Sequence, residues 1–188
     1  MEFARPYMDS PACNPHDFVQ HKLPAQELQP RLLSFERGEM LNPYALSILE
    51  TIEPFFPHPY RYFVEFPLQL LCSKDKFTRL PTELWRFWVN SRVDIAVMHS
   101  GTGTHCRKAC LVFECQSPWH NLEDVQKRDR TKAQILASTG IPLVYVEYTD
   151  YPRVLRFWLA DDSEDLLYNP FTQEGRAELA AFLKKHCL

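Results

Sequence analysis

Three polar side chains interrupt two apolar, strand-like runs in the middle of the chain. Asp94 lies within the run 93–97, and Glu114 and Gln116 lie within the run 111–116. Burying a carboxylate without a partner is unfavourable, so two of them in neighbouring strands require a compensating group. These three side chains are therefore candidates for a functional site.

The periodicity of a β-strand predicts that the three side chains lie close together. Glu114 and Gln116 are two residues apart and so share one face of their strand, and Asp94 lies across from them if the two runs pair as a hairpin. Two carboxylates repel each other unless a cation lies between them, and hard oxygen ligands favour Mg²⁺ or Mn²⁺. The alternative is that each carboxylate lies at the sheet edge or surface, or pairs with an arginine such as Arg92 or Arg107.

An α/β architecture is predicted around these strands. Asn42 can cap a helix that Pro54 ends, and Leu46, Leu49 and Ile52 form its apolar stripe. Pro67 predicts an edge position or a break in a strand over 60–72. The later elements are predicted as a short helix within 77–90, strands over 92–99 and 108–116, a helix over 121–139 ended by Gly140, a strand over 141–148, a strand or short helix near 154–159 and a helix near 173–185. We therefore expect a central mixed sheet of four to five strands flanked by helices, an α+β sandwich.

Length and composition fit one globular domain with an extension. The chain has 188 residues, of which 45% are hydrophobic and 24% are charged. Prolines without hydrophobic periodicity mark residues 1–38 as an arm, and residues 39–188 are predicted to form a single domain. Since there is no apolar run of about 18 residues, no secretory signal and no C-x-x-C pair, we expect a cytoplasmic protein without membrane contact.

Charge is distributed unevenly along the chain. The net charge is -3, which does not by itself indicate nucleic-acid binding. Residues 74–132 nevertheless carry 11 Lys and Arg against 7 Asp and Glu, a local balance of +4, which leaves -7 for the remainder. A basic middle region within an acidic chain is compatible with a surface that faces phosphates.

The order of these motifs resembles the PD-(D/E)XK nuclease superfamily. Its pattern is an acidic residue on one strand and Glu-x-(Lys or Gln) about 20 residues later on the next, after a helix and before a helix-strand unit. More narrowly, the runs VDIAV, LVFECQSPWH and QKRDRTKAQILASTGIPLVYV are similar to a bacterial branch of uncharacterised endonuclease-like domains related to very-short-patch repair endonucleases. The resemblance covers roughly residues 40–148. The positions that match this branch are Glu114, His120, Arg128, Asp129, Lys132 and Gly140-Ile141-Pro142.

The resemblance implies a metal-dependent endonuclease with an αβββαβ restriction-endonuclease-like core. Asp94 and Glu114, with the backbone carbonyl of Cys115, would hold Mg²⁺ (or Mn²⁺), which lowers the pKa of a water and neutralises charge on the scissile phosphate. The implied substrate is DNA, with RNA left open, and the resemblance also implies a homodimer.

The chain departs from the superfamily at one catalytic position. A lysine usually lies two residues after the glutamate, where this chain has Gln116, which can neither carry a charge nor act as a base. Lys132 is a candidate replacement, because its spacing from Val125 and Leu136 places it on the sheet-facing stripe of its helix. The alternative is that Lys132 extends to solvent from the edge of that helix.

Three further residues are candidates for contact with nucleic acid. Lys127 and Arg128 lie on the same helix as Lys132 and could bind phosphates or face solvent. His120 could bind phosphate, donate a proton to the leaving group, or cap its loop. A second function stays open, that of a catalytically inactive nuclease-fold module that binds nucleic acid or a protein partner, which Gln116 and the acidic net charge favour.

Overall fold

Six strands form one sheet in which each strand lies beside its neighbours in the sequence. A computed structural model describes residues 43–74, 79–102, 106–116, 123–150 and 153–187, all within one compact unit, Glu39–Leu188. The predicted arm over residues 1–38 lies outside the described residues. The strands are β1 (Tyr60–Pro67), β2 (Arg92–His99), β3 (Ala109–Cys115), β4 (Leu143–Asp150), β5 (Val154–Leu159) and β6 (Asp165–Tyr168), and the helices are α1 (Pro43–Ile52), α2 (Leu68–Leu71), α3 (Thr82–Asn90), α4 (Glu123–Ser138) and α5 (Gln173–Cys187).

The sheet is mixed because one of its strand pairs is parallel. β3 and β4 run parallel, whereas the other neighbouring strands are antiparallel. A parallel pair needs a long crossover connection, and α4 supplies it between β3 and β4. The predicted α/β class, a mixed sheet flanked by helices, is therefore confirmed.

The predicted number of four to five strands is wrong, because the sheet has six. The additional strand, β6, has four residues and pairs only with β5. So short a segment contains too little alternation of polar and apolar residues to be recognised from the sequence. Pro67, by contrast, ends β1 at the edge of the sheet as predicted, because proline cannot donate to a central ladder.

One face of the sheet, which we call the apolar face, is covered by α1 and α5. The predicted stripe on α1 is partly wrong: Ala45, Ile48 and Ile52 are buried, whereas Leu46 is 43% exposed. The spacing of the buried set also fits one side of a helix, and its members pack against the sheet. The strand residues of this face include Ile95, Val97, Leu111, Phe113, Cys115, Val144, Val146, Leu155 and Phe157.

The opposite face, which we call the site face, is covered by α2, α3 and α4. A smaller buried cluster there includes Leu68 of α2, Leu136 of α4 and Val112 of β3. The helix α4 ends where predicted, because Gly140 has a φ of 72° and donates its amide to a carbonyl of the last turn. None of the described helices has the length and apolarity that a membrane crossing requires.

Candidate active site

Asp94 and Glu114 meet where the pairing of β2 with β3 ends. The two strands are antiparallel, and since Ile95 lies opposite Phe113, the next step of the register brings Asp94 opposite Glu114. At that step the amide of Cys115 donates a hydrogen bond to Asp94 Oδ2 at 2.6 Å. The hairpin therefore brings together the two carboxylates that the sequence singled out.

Glu114 is enclosed and only half satisfied. The residue is 2% exposed, and the Nζ atom of Lys132 lies 2.6 Å from its Oε2 atom. Its other oxygen, Oε1, is buried with no hydrogen-bond partner among the described residues. An unsatisfied buried acceptor costs free energy, so this oxygen is available to a ligand that enters the site.

The surroundings of Glu114 favour its protonated form. Burial raises the pKa of this carboxyl group to about 8, and it does so despite the neighbouring Lys132, which lowers the pKa. The negative charges of Asp94 and Asp129 raise the pKa further. Glu114 must therefore release a proton near neutral pH before it can bind a cation as a carboxylate.

A cavity of about 780 Å³ opens beside the two carboxylates on the site face. Its lining combines acidic and basic side chains with contributions from the start of α1 and the end of α3. A pocket in which polar groups and a carboxyl of perturbed pKa converge is a typical candidate for an active site. The charged residues that line it are Glu65, Asp94, Glu114 and Asp129, with Arg92, Arg128 and Lys132.

Gln116 contacts the helix rather than the cavity. Its side-chain amide donates to Asp129 Oδ2 at 3.4 Å, and its main-chain amide donates to the carbonyl of Val146 at 2.7 Å. It is absent from the described lining of the cavity and is buried at 8% exposure. The side chain thus joins the end of β3 to α4.

Tyr44 joins the ends of β3 and β4. Its hydroxyl donates to the carbonyl of Gln116 at 2.5 Å and accepts the amide of Tyr148 at 3.1 Å. Its ring packs edge-on against the ring of Tyr148, with centroids 5.5 Å apart. The N-terminal turn of α1 therefore fixes the strand end that directly follows Glu114.

The other candidate residues differ in whether they line the cavity. Arg128 lines the cavity together with Lys132, whereas Lys127 is exposed and is not among its described lining residues. Cys115, whose carbonyl the resemblance implies as a metal ligand, lines the cavity and is held through its amide by Asp94. His120 lies outside the described residues.

The lining of the cavity also includes residues that were not candidate site residues, among them Asp129, Arg92, Glu65 and Tyr44. Asp129 was named only as a match to the resemblance, but its place three residues before Lys132 puts both on one side of α4. Arg92 shares a strand face with Asp94 by the same alternation that related Glu114 to Gln116. Nothing in the sequence singled out Glu65 or Tyr44, because their roles depend on tertiary packing.

The two carboxylates could supply part of the ligand set of a divalent cation. Among the described residues, no group of three or more His, Cys, Asp or Glu side chains is arranged to hold a metal ion. Mg²⁺ is, however, commonly bound through one or two carboxylates, with waters and substrate phosphates as its other ligands. Asp94 and Glu114 could supply the two carboxylates, and Glu114 Oε1 has a vacant acceptor site.

Comparisons of the chain with protein-family models, with curated proteins and with solved structures find no match. The side chains of the cavity and the resemblance of the sequence motifs are therefore the basis for a function.

Proposed function

We propose that the protein is a divalent-metal-dependent nuclease that hydrolyses phosphodiester bonds of DNA. The observation that carries the proposal is the buried Oε1 atom of Glu114, which has no hydrogen-bond partner among the described residues. Glu114 lies opposite Asp94 and lines an open cavity that combines acidic and basic side chains. A purely structural carboxylate would be expected to have both oxygens satisfied. A cation between the two carboxylates would satisfy this oxygen and offset the repulsion between them.

The order of elements supports the same proposal. The chain contains α1, β1, β2, β3, α4 and β4 in that order, with Asp94 on β2 and Glu114 on β3. This order agrees with the αβββαβ order that the resemblance implies for a restriction-endonuclease-like core, with α2 and α3 inserted between β1 and β2. The further strands β5 and β6 extend the sheet beyond β4, on the side away from the carboxylates.

The proposed mechanism assigns a different task to each side chain. Asp94 and Glu114 would hold Mg²⁺ (or Mn²⁺), which supplies Lewis-acid stabilisation of charge on the scissile phosphate. Lys132 supplies, from α4, the positive charge that Gln116 cannot supply from β3. Its ammonium group can donate to a phosphate oxygen or orient the attacking water. Gln116 acts as a positioning residue, because its amide binds Asp129 on the helix that carries Lys132.

The test is metal-dependent cleavage of supercoiled, nicked and single-stranded DNA by the full chain. We expect cleavage with Mg²⁺ or Mn²⁺, none with EDTA, and a loss of at least about 100-fold in Glu114→Gln and in Lys132→Met. Glu123→Gln and Lys184→Met are matched controls, since both residues are exposed and neither is among the described lining residues of the cavity. Equal cleavage by Glu114→Gln and the wild type would overturn the proposal.

A readout that does not depend on cleavage is the melting temperature in a titration with Mg²⁺ or Mn²⁺. A cation that binds only the folded protein raises the melting temperature. We expect a larger rise at pH 8 than at pH 6, because Glu114 has a pKa of about 8 and must be ionised to bind. Glu114→Gln should lose most of the rise and its pH dependence.

A second candidate function is a non-catalytic module that binds nucleic acid. The observation in its favour is that Lys132 already bonds Glu114 directly, at 2.6 Å, so a charged partner occupies one oxygen of the carboxylate without a metal. The presence of Gln116 in place of the usual lysine also favours a non-catalytic function. Retardation of DNA without cleavage in Mg²⁺ or Mn²⁺, and without a metal-dependent rise in melting temperature, would favour this function.

A further inference from the structure

An irregularity in β1 holds an arginine at the rim of the cavity. Val64 pairs with Ile95 and Phe66 pairs with Val93, but Glu65 between them makes no pair and has a φ of 48°. A positive φ is uncommon for a residue other than glycine, so the surrounding structure must hold Glu65 in this conformation. The carbonyl of Glu65 accepts a hydrogen bond from Arg92 at 3.2 Å.

Arg92 is placed to bind a group that lies over the carboxylates. It is two residues before Asp94, on the same face of β2 and about 7 Å along the strand, and it lines the same cavity. Its guanidinium has five N–H donors, of which the Glu65 carbonyl takes one. Among the described residues, no carboxylate lies within ion-pair distance of Arg92, although four line the cavity.

Arg128 lines the same cavity as Arg92, but from α4 rather than from the sheet. It lies one turn before Lys132 on α4 and lines the cavity, and no described carboxylate pairs with it. Asp94 lies next to Arg92 on the sheet, and Glu114 bonds Lys132 of α4. The two carboxylates are therefore bordered by one arginine on the sheet side and one on the helix side.

We infer that Arg92 and Arg128 each bind a backbone phosphate flanking the one that is cleaved, so that the substrate is the interior of a polynucleotide strand. This inference rests on the proposed function and specifies its substrate. A guanidinium matches a phosphate with two parallel N–H bonds, which a lysine cannot make. A terminal phosphate or a mononucleotide would leave one of the two arginines without a ligand.

The first experiment measures how the binding of a single-stranded oligonucleotide in EDTA depends on salt, so that cleavage plays no part. Removing one phosphate contact lowers the slope of log K against log[salt] by about 0.7 for a single strand. We expect this change in Arg92→Ala and in Arg128→Ala. The matched controls are Arg86→Ala and Arg130→Ala, which remove equal charges from exposed positions of α3 and α4 that are not among the described lining residues. Equal slopes for wild type and Arg92→Ala, or no binding at all, overturn the inference.

The second experiment locates the contacts during cleavage. Single uncharged methylphosphonate linkages are placed at each position around the cut site, and cleavage rates are compared with those of the unmodified strand. We expect the wild type to cleave more slowly when the methylphosphonate linkage is at one position on either side of the cut. Arg92→Ala should lose the effect on one side only, and Arg128→Ala on the other.

The outcomes distinguish the two proposals. Cleavage by the wild type with an unchanged methylphosphonate profile in Arg92→Ala overturns the role of Arg92 and leaves the nuclease intact. Removal of terminal phosphates in preference to interior cleavage overturns the proposed substrate. If no substrate is cleaved with either metal, the nuclease proposal fails, and the salt slopes alone decide whether Arg92 binds a phosphate.

Discussion

The two faces of the sheet differ in how completely their side chains are satisfied. The apolar face is a continuous cluster in which residues such as Phe113 and Phe157 are fully buried among hydrocarbon and aromatic groups. The site face has a smaller cluster, and at its end it buries Glu114 and Gln116. Neighbouring residues of one strand therefore differ in role: Phe113 stabilises the fold, whereas Glu114 has an oxygen without a hydrogen-bond partner in the described part of the chain.

This difference separates residues that hold the fold from residues that reduce its stability. Burial of an apolar side chain contributes about 1.5–3 kcal/mol, whereas an unsatisfied buried polar atom costs about 1–3 kcal/mol. A chain that keeps such an atom beside an open cavity is expected to use it. Substitutions on the apolar face should therefore mainly change stability, and substitutions on the site face should mainly change function.

The largest expected effect on stability is on the apolar face. Phe113→Ala should lower the free energy of unfolding by about 3–5 kcal/mol, because it leaves a cavity among rings that include Phe56. Urea denaturation measures the change. Phe171→Ala, at a residue that is 75% exposed, should change stability by less than about 0.5 kcal/mol. A similar change in the two variants would show that the apolar face is not the stabilising layer.

The next largest effect is the pH dependence of stability, and it belongs to the site face. The folded protein raises the pKa of Glu114 to about 8 from an ordinary value of 4.5, so it holds a proton that the unfolded chain has released. Stability contributed by this proton is complete below about pH 4.5 and falls as pH rises to about 8, by at most about 1.4 kcal/mol per pH unit.

Urea denaturation in EDTA between pH 5 and 8 measures this dependence. Glu114→Gln should flatten the curve, because glutamine keeps the shape of the protonated acid without titrating. Glu123→Gln, in the exposed first turn of α4, should keep the wild-type slope. A slope that is the same in wild type and Glu114→Gln would show that Glu114 does not hold the proton.

The sequence was sufficient for the features that depend on local periodicity. Alternation along the strands predicted that Asp94 and Glu114 would meet, and helical spacing predicted that Lys132 would face the sheet, where it bonds Glu114. Turn chemistry predicted the end of α4 at Gly140. Each of these predictions needs only residues within one element or one hairpin.

The features that the sequence did not predict depend on contacts between distant elements. Glu65 and Arg92 are 27 residues apart, and their hydrogen bond follows from a departure of β1 from regular geometry. Tyr44 reaches Gln116 across 72 residues. β6 was missed because its four residues become a strand only by pairing with β5. No local pattern encodes such contacts.

The smallest expected effect on stability tests whether the apolar layer also positions the site. Tyr44 starts the helix that covers the apolar face, yet its hydroxyl bridges the carbonyl of Gln116 and the amide of Tyr148. Tyr44→Phe keeps the ring contact with Tyr148 and removes only the hydroxyl. We expect a loss of about 1–2 kcal/mol in the free energy of unfolding, since two main-chain groups lose their partner.

The same variant should affect the site more than the fold. The hydroxyl of Tyr44 fixes the strand end that follows Glu114, and a small displacement of catalytic groups lowers rate steeply. Cleavage by Tyr44→Phe should therefore fall by about 10-fold or more while the protein stays folded at 25 °C. Wild-type cleavage with the expected loss of stability would instead mean that α1 supports the sheet alone, and that the geometry around Glu114 is fixed within the site face by Asp94 and α4.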